Sequence, residues 1–162
     1  MKGYTLIEIL IGLTIIGLIF GFGYVSFRDF SRRQTLIGTA KAVQGDLRLA
    51  QALAAAGQKP TDADDPLSLC KGVNTLDGYG FKVYSAIEYK IEAYCTGGTI
   101  VNKDVNLSPE ITISTPSVNP IKFKILGMGT NIAAGETTTI TLTQAGTNSQ
   151  LVVTIGAGGE IK

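Results

Sequence analysis

The chain of 162 residues carries 14 Lys and Arg against 13 Asp and Glu, a formal net charge of +1, with 44% hydrophobic and 17% charged residues. That apolar content excludes a wholly disordered chain, the length suits one domain, and the charge balance leaves no electrostatic footprint for nucleic acid over the whole chain. With no histidine and two cysteines, imidazole acid–base chemistry, Ser-His-Asp and Cys-His nucleophiles, imidazole metal sites and four-thiolate zinc sites are all removed, so an enzyme would have to be built from carboxylates, lysines and hydroxyls.

The first element is apolar. No charged side chain lies between Glu8 and Arg28, and Ile9 to Phe27 reads ILIGLTIIGLIFGFGYVSF. As a helix this stretch rises about 28 Å, close to the thickness of a bilayer's hydrocarbon core. A removable secretory signal has a shorter apolar region and a small-residue cleavage site, which Gly21 to Tyr24 fits poorly. A buried core helix shows one apolar stripe, whereas this segment is apolar all round. A membrane span is the reading that fits. Glu8 is the only acid in the first 28 residues. Position alone allows two roles for it: an interfacial residue favoured by the helix dipole, or a carboxylate awaiting a cation from another subunit. Gly17 and Gly21 form a GxxxG pair, whose plainer reading is ordinary glycine use in a span.

In front of the span stands Met1-Lys2-Gly3, a very short basic leader, followed by Tyr4-Thr5-Leu6-Ile7-Glu8. This string, running into an apolar helix, resembles the class III signal of type IV pilins and type II secretion pseudopilins. The resemblance covers about the first 30 residues. It implies a cut by a prepilin peptidase after Gly3, N-methylation of the new terminus at Tyr4, and an assembly role for Glu8, whose carboxylate would pair with the Tyr4 amine of a neighbouring subunit. Two departures stand out: Tyr4 where the family usually has Phe, and no Pro before Pro60 where many pilins have one in the helix. Gly17, Gly21 and Gly23 soften the helix instead. Removing Lys2 with the leader leaves 13 cations against 13 acids. The resemblance implies an extracytoplasmic body. Charge counting opposes this, because only Lys2 precedes the span while Arg28, Arg32 and Arg33 follow it.

Helical spacing continues past the span through Phe27, Phe30, Ile37, Ala40, Val43, Leu47, Ala50 and Ala54, with Arg28, Arg32, Arg33, Lys41, Asp46 and Arg48 mostly off the stripe. Gly57 suits a C-cap and Pro60 a stop. One helix from about Tyr4 to Ala56 would be about 80 Å long. The stripe is expected to be core packing.

Lys59 to Asp77 is polar and turn-rich. Asp62, Asp64 and Asp65 lack the Gly and Glu of a calcium loop and read as a solvated acidic loop. Strands follow. Tyr79 to Ser85 is one. Tyr89, Ile91, Ala93 and Cys95 alternate with Lys90, Glu92 and Tyr94, and Ile121, Phe123 and Ile125 alternate with Lys122 and Lys124. Thr137 to Thr143 and Gln150 to Ile155 form a hairpin across Ala145 to Asn148. The Gly127-Met128-Gly129 and Gly156-Ala157-Gly158-Gly159 runs complete no GxGxxG pattern and read as turns. The expected fold class is α+β: a long N-terminal helix, transmembrane in its first half, packed on an antiparallel sheet in a pilin-like arrangement. The expected segments are a leader at 1–3, an assembly helix at 4–27, an amphipathic helix half at 28–57 and a globular body at 58–162.

A more degenerate resemblance extends into the body. Leu47-Arg48-Leu49-Ala50-Gln51-Ala52-Leu53, then IKFKILGMGT, TTTITLTQAG and SQLVVTIGAGGEIK, resemble the long helix end and closing strands of the H-type pseudopilin and FimT-like minor pilin branch. An exported body meets an oxidising compartment, where paired cysteines usually bridge. Cys70 and Cys95 are then expected to form a disulfide, the alternative being two unpaired thiols. The resulting expectation is a non-enzymatic pilin-like subunit of a type IV pilus or a secretion pseudopilus, held as a single-pass protein in the cytoplasmic membrane before joining an extracytoplasmic filament. Its implied partners are a prepilin peptidase, other pilin or pseudopilin subunits, the inner-membrane assembly machinery and the lipid bilayer. No cofactor, metal site or catalytic residue is expected. Two alternatives stay open. One is a minor pilin for DNA uptake, against which Lys122, Lys124 and Lys162 read as scattered. The other is a membrane-tethered binding or enzymatic domain.

Overall fold

The computed structural model describes residues 4–60, 69–71 and 73–162, and within the first helix it leaves aside the side chains of 22–26. The leader residues Met1 to Gly3 and the acidic residues Asp62, Asp64 and Asp65 therefore lie outside the described residues. The chain divides into two compact units, Met1–Thr35 and Leu36–Lys162. One helix, α1 (Leu6–Ala56), supplies residues to both.

In the second unit the helix buries one stripe: Leu36, Ala40, Val43, Leu47, Ala50 and Ala54 are all at most 8% exposed. The spacing of three and four residues puts them on one face. Phe27 and Phe30, expected on the same stripe, are instead 69% and 60% exposed. The stripe starts at Leu36 because that is where the helix enters the compact body. The helix stops at Gly57, whose φ of +63° suits a residue without a Cβ. Its N–H bonds to the Ala54 carbonyl at 3.0 Å, and the Gln58 N–H bonds to the Leu53 carbonyl at 3.1 Å, which together make a Schellman cap.

Seven strands follow: β1 (Leu76–Ser85), β2 (Glu88–Cys95), β3 (Gly98–Asn106), β4 (Ile111–Ile113), β5 (Ile121–Lys124), β6 (Thr137–Gln144) and β7 (Gln150–Gly156). They form two antiparallel sheets in place of the one expected, a four-stranded sheet in the order β3-β2-β1-β5 and a three-stranded sheet in the order β4-β6-β7. The fold is α+β, a long N-terminal helix packed on antiparallel sheet. The β6–β7 hairpin closes where its turn residues put it, with Gly146 and Asn148 at positive φ. β3 and β4 carry no strong sequence signal. β3 is an exposed edge strand without inward alternation, and β4 has three residues. β5 ends at Lys124, and Ile125, expected within it, opens a 3-10 turn.

Both sheets put alternate residues into one core. Tyr79, Phe81 and Val83 of β1, Tyr89, Ile91 and Ala93 of β2, Ile121 and Phe123 of β5, Ile140 and Leu142 of β6, and Val153 and Ile155 of β7 join the helical stripe. The rings of Phe81 and Tyr89 stack with centroids 4.6 Å apart. Gly78 lets β1 and β5 close on each other, since a Cβ there would run into the Phe123 carbonyl oxygen.

Cys70 and Cys95 form a disulfide, with Cα atoms 5.4 Å apart across a sequence separation of 25. It ties the segment after the helix to the end of β2. Around it, the Asn74 side-chain amide donates to the Leu69 carbonyl at 3.0 Å, and Thr75 and Thr96 exchange bonds at 3.0 Å. A loop of this length loses enough entropy in the unfolded chain for the bridge to contribute about 3–4 kcal/mol. Replacing both cysteines by serine is expected to lower the unfolding free energy by about that amount, read from the denaturant midpoint under non-reducing conditions. An unchanged midpoint would deny the bridge a stabilising role.

Candidate functional site

The N-terminal segment carries the predicted processing and assembly residues. Gly3 lies outside the described residues. Tyr4 is 81% exposed and Glu8 is exposed in the first turn of α1. Thr5 caps the helix: the Glu8 N–H lies 3.4 Å from its Oγ1 and 3.1 Å from its carbonyl oxygen. The spacing Thr5-x-x-Glu8 is that of a capping box, a signal the motif reading passed over. The bond from the Glu8 N–H to Thr5 supplies the first half of that box. Among the described residues, no cation is paired with Glu8.

Beyond Glu8, every Leu and Ile from Leu6 to Ile19 is more than half exposed. A surface this apolar on all sides is not stable facing water and needs a cover of lipid or protein. Among the described residues no helix is long and apolar enough to cross a membrane. The expected span, Ile9 to Phe27, runs through residues 22–26, whose side chains lie outside the description. Gly17 and Gly21 have open space where a Cβ would stand.

Two polar clusters in the body were not foreseen. Asp46, expected off the stripe and in solvent, is 7% exposed. Its Oδ2 accepts from the Tyr89 hydroxyl at 2.8 Å and its Oδ1 from Lys103 Nζ at 2.6 Å. The helix is thus pinned to β2 and β3 by a carboxylate satisfied on both oxygens. Burial, helped by the bond to Asp46, pushes the Tyr89 hydroxyl well above the ordinary tyrosine range.

The second cluster lies on the outward face of the four-stranded sheet. Glu92, which alternates with the inward residues of β2, is 2% exposed. Tyr84 and Tyr94 cover it and both donate their hydroxyls to it, Tyr94 at 2.6 Å. Burial first, then Glu92, raises the Tyr94 hydroxyl. Lys122 Nζ sits 3.9 Å over the Tyr94 ring and Lys82 Nζ 4.4 Å over the Tyr84 ring. The register Phe81–Ile121 and Gly80–Lys122 puts Lys82, Lys122 and Lys124 on this same outward face. Lys122 and Lys124 are therefore not scattered as expected. Lys162 pairs by its backbone with Thr154 of β7 and belongs elsewhere. A cavity of about 600 Å³ lies beside Tyr94, walled by the start of β1, Lys122, Lys124 and the turn up to Asn131. Its titratable side chains are Asp77, Tyr94 and the two lysines. Among the described residues no group of carboxylates and thiols is placed to hold a metal ion.

Residues 1–24 match a family model described as the prokaryotic N-terminal methylation motif. The match supports a type IV pilin-like class III signal at this N-terminus, and with it a structural subunit processed by a prepilin peptidase rather than an enzyme. No curated protein and no solved structure matches the chain.

The Tyr89–Asp46 bond has a pH consequence. The folded chain holds the Tyr89 proton more tightly than the unfolded chain. Its contribution is complete below about pH 10 and is lost as pH rises above that value. Tyr89→Phe is expected to lower stability at neutral pH by about 1.5–3 kcal/mol. It is also expected to flatten the alkaline loss by up to about 1.4 kcal/mol per pH unit. Urea unfolding at several pH values between 8 and 11.5 checks both, and parallel curves for the two proteins would contradict the second.

Proposed function

We propose that the chain is a pilin-like structural subunit. A prepilin peptidase cuts it between Gly3 and Tyr4, the new amine is methylated, and the apolar half of α1 assembles it into a type IV pilus or a type II secretion pseudopilus. The observation that carries this reading is the methylation motif over residues 1–24. It fits a helix that leaves its apolar surface uncovered and exposes Glu8 in its first turn. Before assembly the segment Ile9 to Phe27 sits in the cytoplasmic membrane with the body outside, in a compartment where the Cys70–Cys95 bridge persists. In the filament the same surface meets other subunits. There the Glu8 carboxylate pairs with the Tyr4 amine of a neighbour, two opposite charges in a low-dielectric core. The closing strands, with their Gly-rich turns, favour the H-type pseudopilin and FimT-like branch.

One observation favours a second reading, a minor pilin for DNA uptake. Lys82, Lys122 and Lys124 share one sheet face, and among the described residues none has a carboxylate within ion-pair distance. Phosphate binding there would weaken steeply with salt, and a gel shift comparing the native chain with a triple Lys→Gln variant decides it.

Mass spectrometry of the protein from its own host is expected to find the N-terminus at Tyr4, heavier by one methyl group. An intact Met1-Lys2-Gly3 in assembled material would remove the reading. Glu8→Gln is expected to leave the cut in place while reducing incorporation beside wild-type subunits by about two orders of magnitude or more. Leaving one partner of a buried pair uncompensated costs about 3–5 kcal/mol. Normal incorporation would overturn the pairing role.

A further inference from the structure

Three arginines follow the apolar run within six residues: Arg28, Arg32 and Arg33, with Asp29 as the one acid among them. Arg28 and Arg33 are exposed and Arg32 is half-buried. Phe27 and Phe30, interleaved with them, are 69% and 60% exposed. This band is part of the first unit and takes no part in the body's core.

Helical rise fixes its depth. Ile9 to Phe27 spans about 28 Å, which fills a hydrocarbon layer of about 30 Å. The headgroup region adds about 5–8 Å on each side of that layer. Residues 28–33 rise about 8 Å along the axis, so they cross that headgroup region. Guanidinium groups match phosphate in shape and charge, and they bind it through two parallel N–H···O bonds. A soluble phosphate would leave Phe27 and Phe30 in water. A phospholipid offers both its phosphate to the arginines and its glycerol and acyl region to the rings. The same band opposes the usual distribution of positive charge, which places Lys and Arg on the cytoplasmic side. Anionic lipid at the outer surface offers this band a counter-charge in that orientation.

We propose that Arg28, Arg32 and Arg33, with Phe27 and Phe30, form a collar that binds the headgroups of anionic phospholipid in the outer leaflet and holds the subunit there before assembly. The proposal rests on the membrane reading given under Proposed function. A cation near an anionic membrane surface changes affinity by about fivefold, so three arginines give a preference well above measurement error.

The test uses the full chain reconstituted in phosphatidylcholine bilayers doped with spin-labelled phosphatidylglycerol or spin-labelled phosphatidylcholine. Electron paramagnetic resonance reads the fraction of each lipid immobilised at the protein. The expected result is a several-fold preference for phosphatidylglycerol that falls with added salt, is lost in Arg28→Gln/Arg32→Gln/Arg33→Gln and is partly kept in the triple Lys variant. Equal immobilisation of the two lipids, or a preference that survives the triple Gln change, overturns the collar. Loss of the preference on adding millimolar inorganic phosphate to the native chain assigns the arginines to soluble anion and overturns the lipid assignment. The underlying reading fails separately. If alkaline carbonate strips the chain from pure phosphatidylcholine bilayers, the helix does not span, and the collar falls with it.

Discussion

Burial of one stripe of α1, from Leu36 to Ala54, against strands of two separate sheets is the constraint on which the body depends. The two sheets share no strand, so their inner faces are completed through this common core. Three of the six buried apolar positions on the helix are alanine, which lets the helix backbone come close to the aromatic and branched side chains of the strands. Leu47 and Val43 at its centre are fully buried. Truncation of such a leucine removes packing worth about 2–5 kcal/mol, a large share of the 5–15 kcal/mol that holds a typical domain.

Two buried carboxylates sit in this otherwise apolar arrangement, and each is answered by specific donors. Asp46 faces Tyr89 and Lys103 on the inner side, and Glu92 faces Tyr84 and Tyr94 on the outer side. A buried charge without partners is strongly unfavourable. Asp46 ties the helix to β2 and β3, and Glu92 ties β2 to β1. Their role is therefore positional as much as energetic: Asp46 bears on how the sheet meets the helix, and Glu92 on how β1 meets β2.

The first unit obeys the opposite rule. Its helix leaves every large aliphatic residue from Leu6 to Ile19 uncovered, and among the described residues Glu8 has no ion-pair partner. The methylation motif falls on this segment. The body is closed by its own core, whereas the apolar surface of the N-terminal helix requires a cover.

What the sequence determined by itself was local. The apolar run, the helix with its Gly57 cap, the inward alternation of Tyr89, Ile91 and Ala93, the β6–β7 hairpin and the glycine turns all follow from patterns a few residues long, where periodicity and turn chemistry act without distant partners. The signal at Met1 to Glu8 was legible for the same reason. What only the tertiary structure decided was non-local: the split into two sheets, the pairing of β5 with β1, the weak edge strand β3, and the gathering of Lys82, Lys122 and Lys124 on one face. Phe27 and Phe30 fit the helical stripe by spacing yet stay exposed, and Asp46 and Glu92 broke the pattern by becoming buried. A side chain's polarity gives its cost of burial, but whether donors such as Tyr89 and Lys103 stand opposite to offset that cost depends on strand register, which segments far apart in the chain set together.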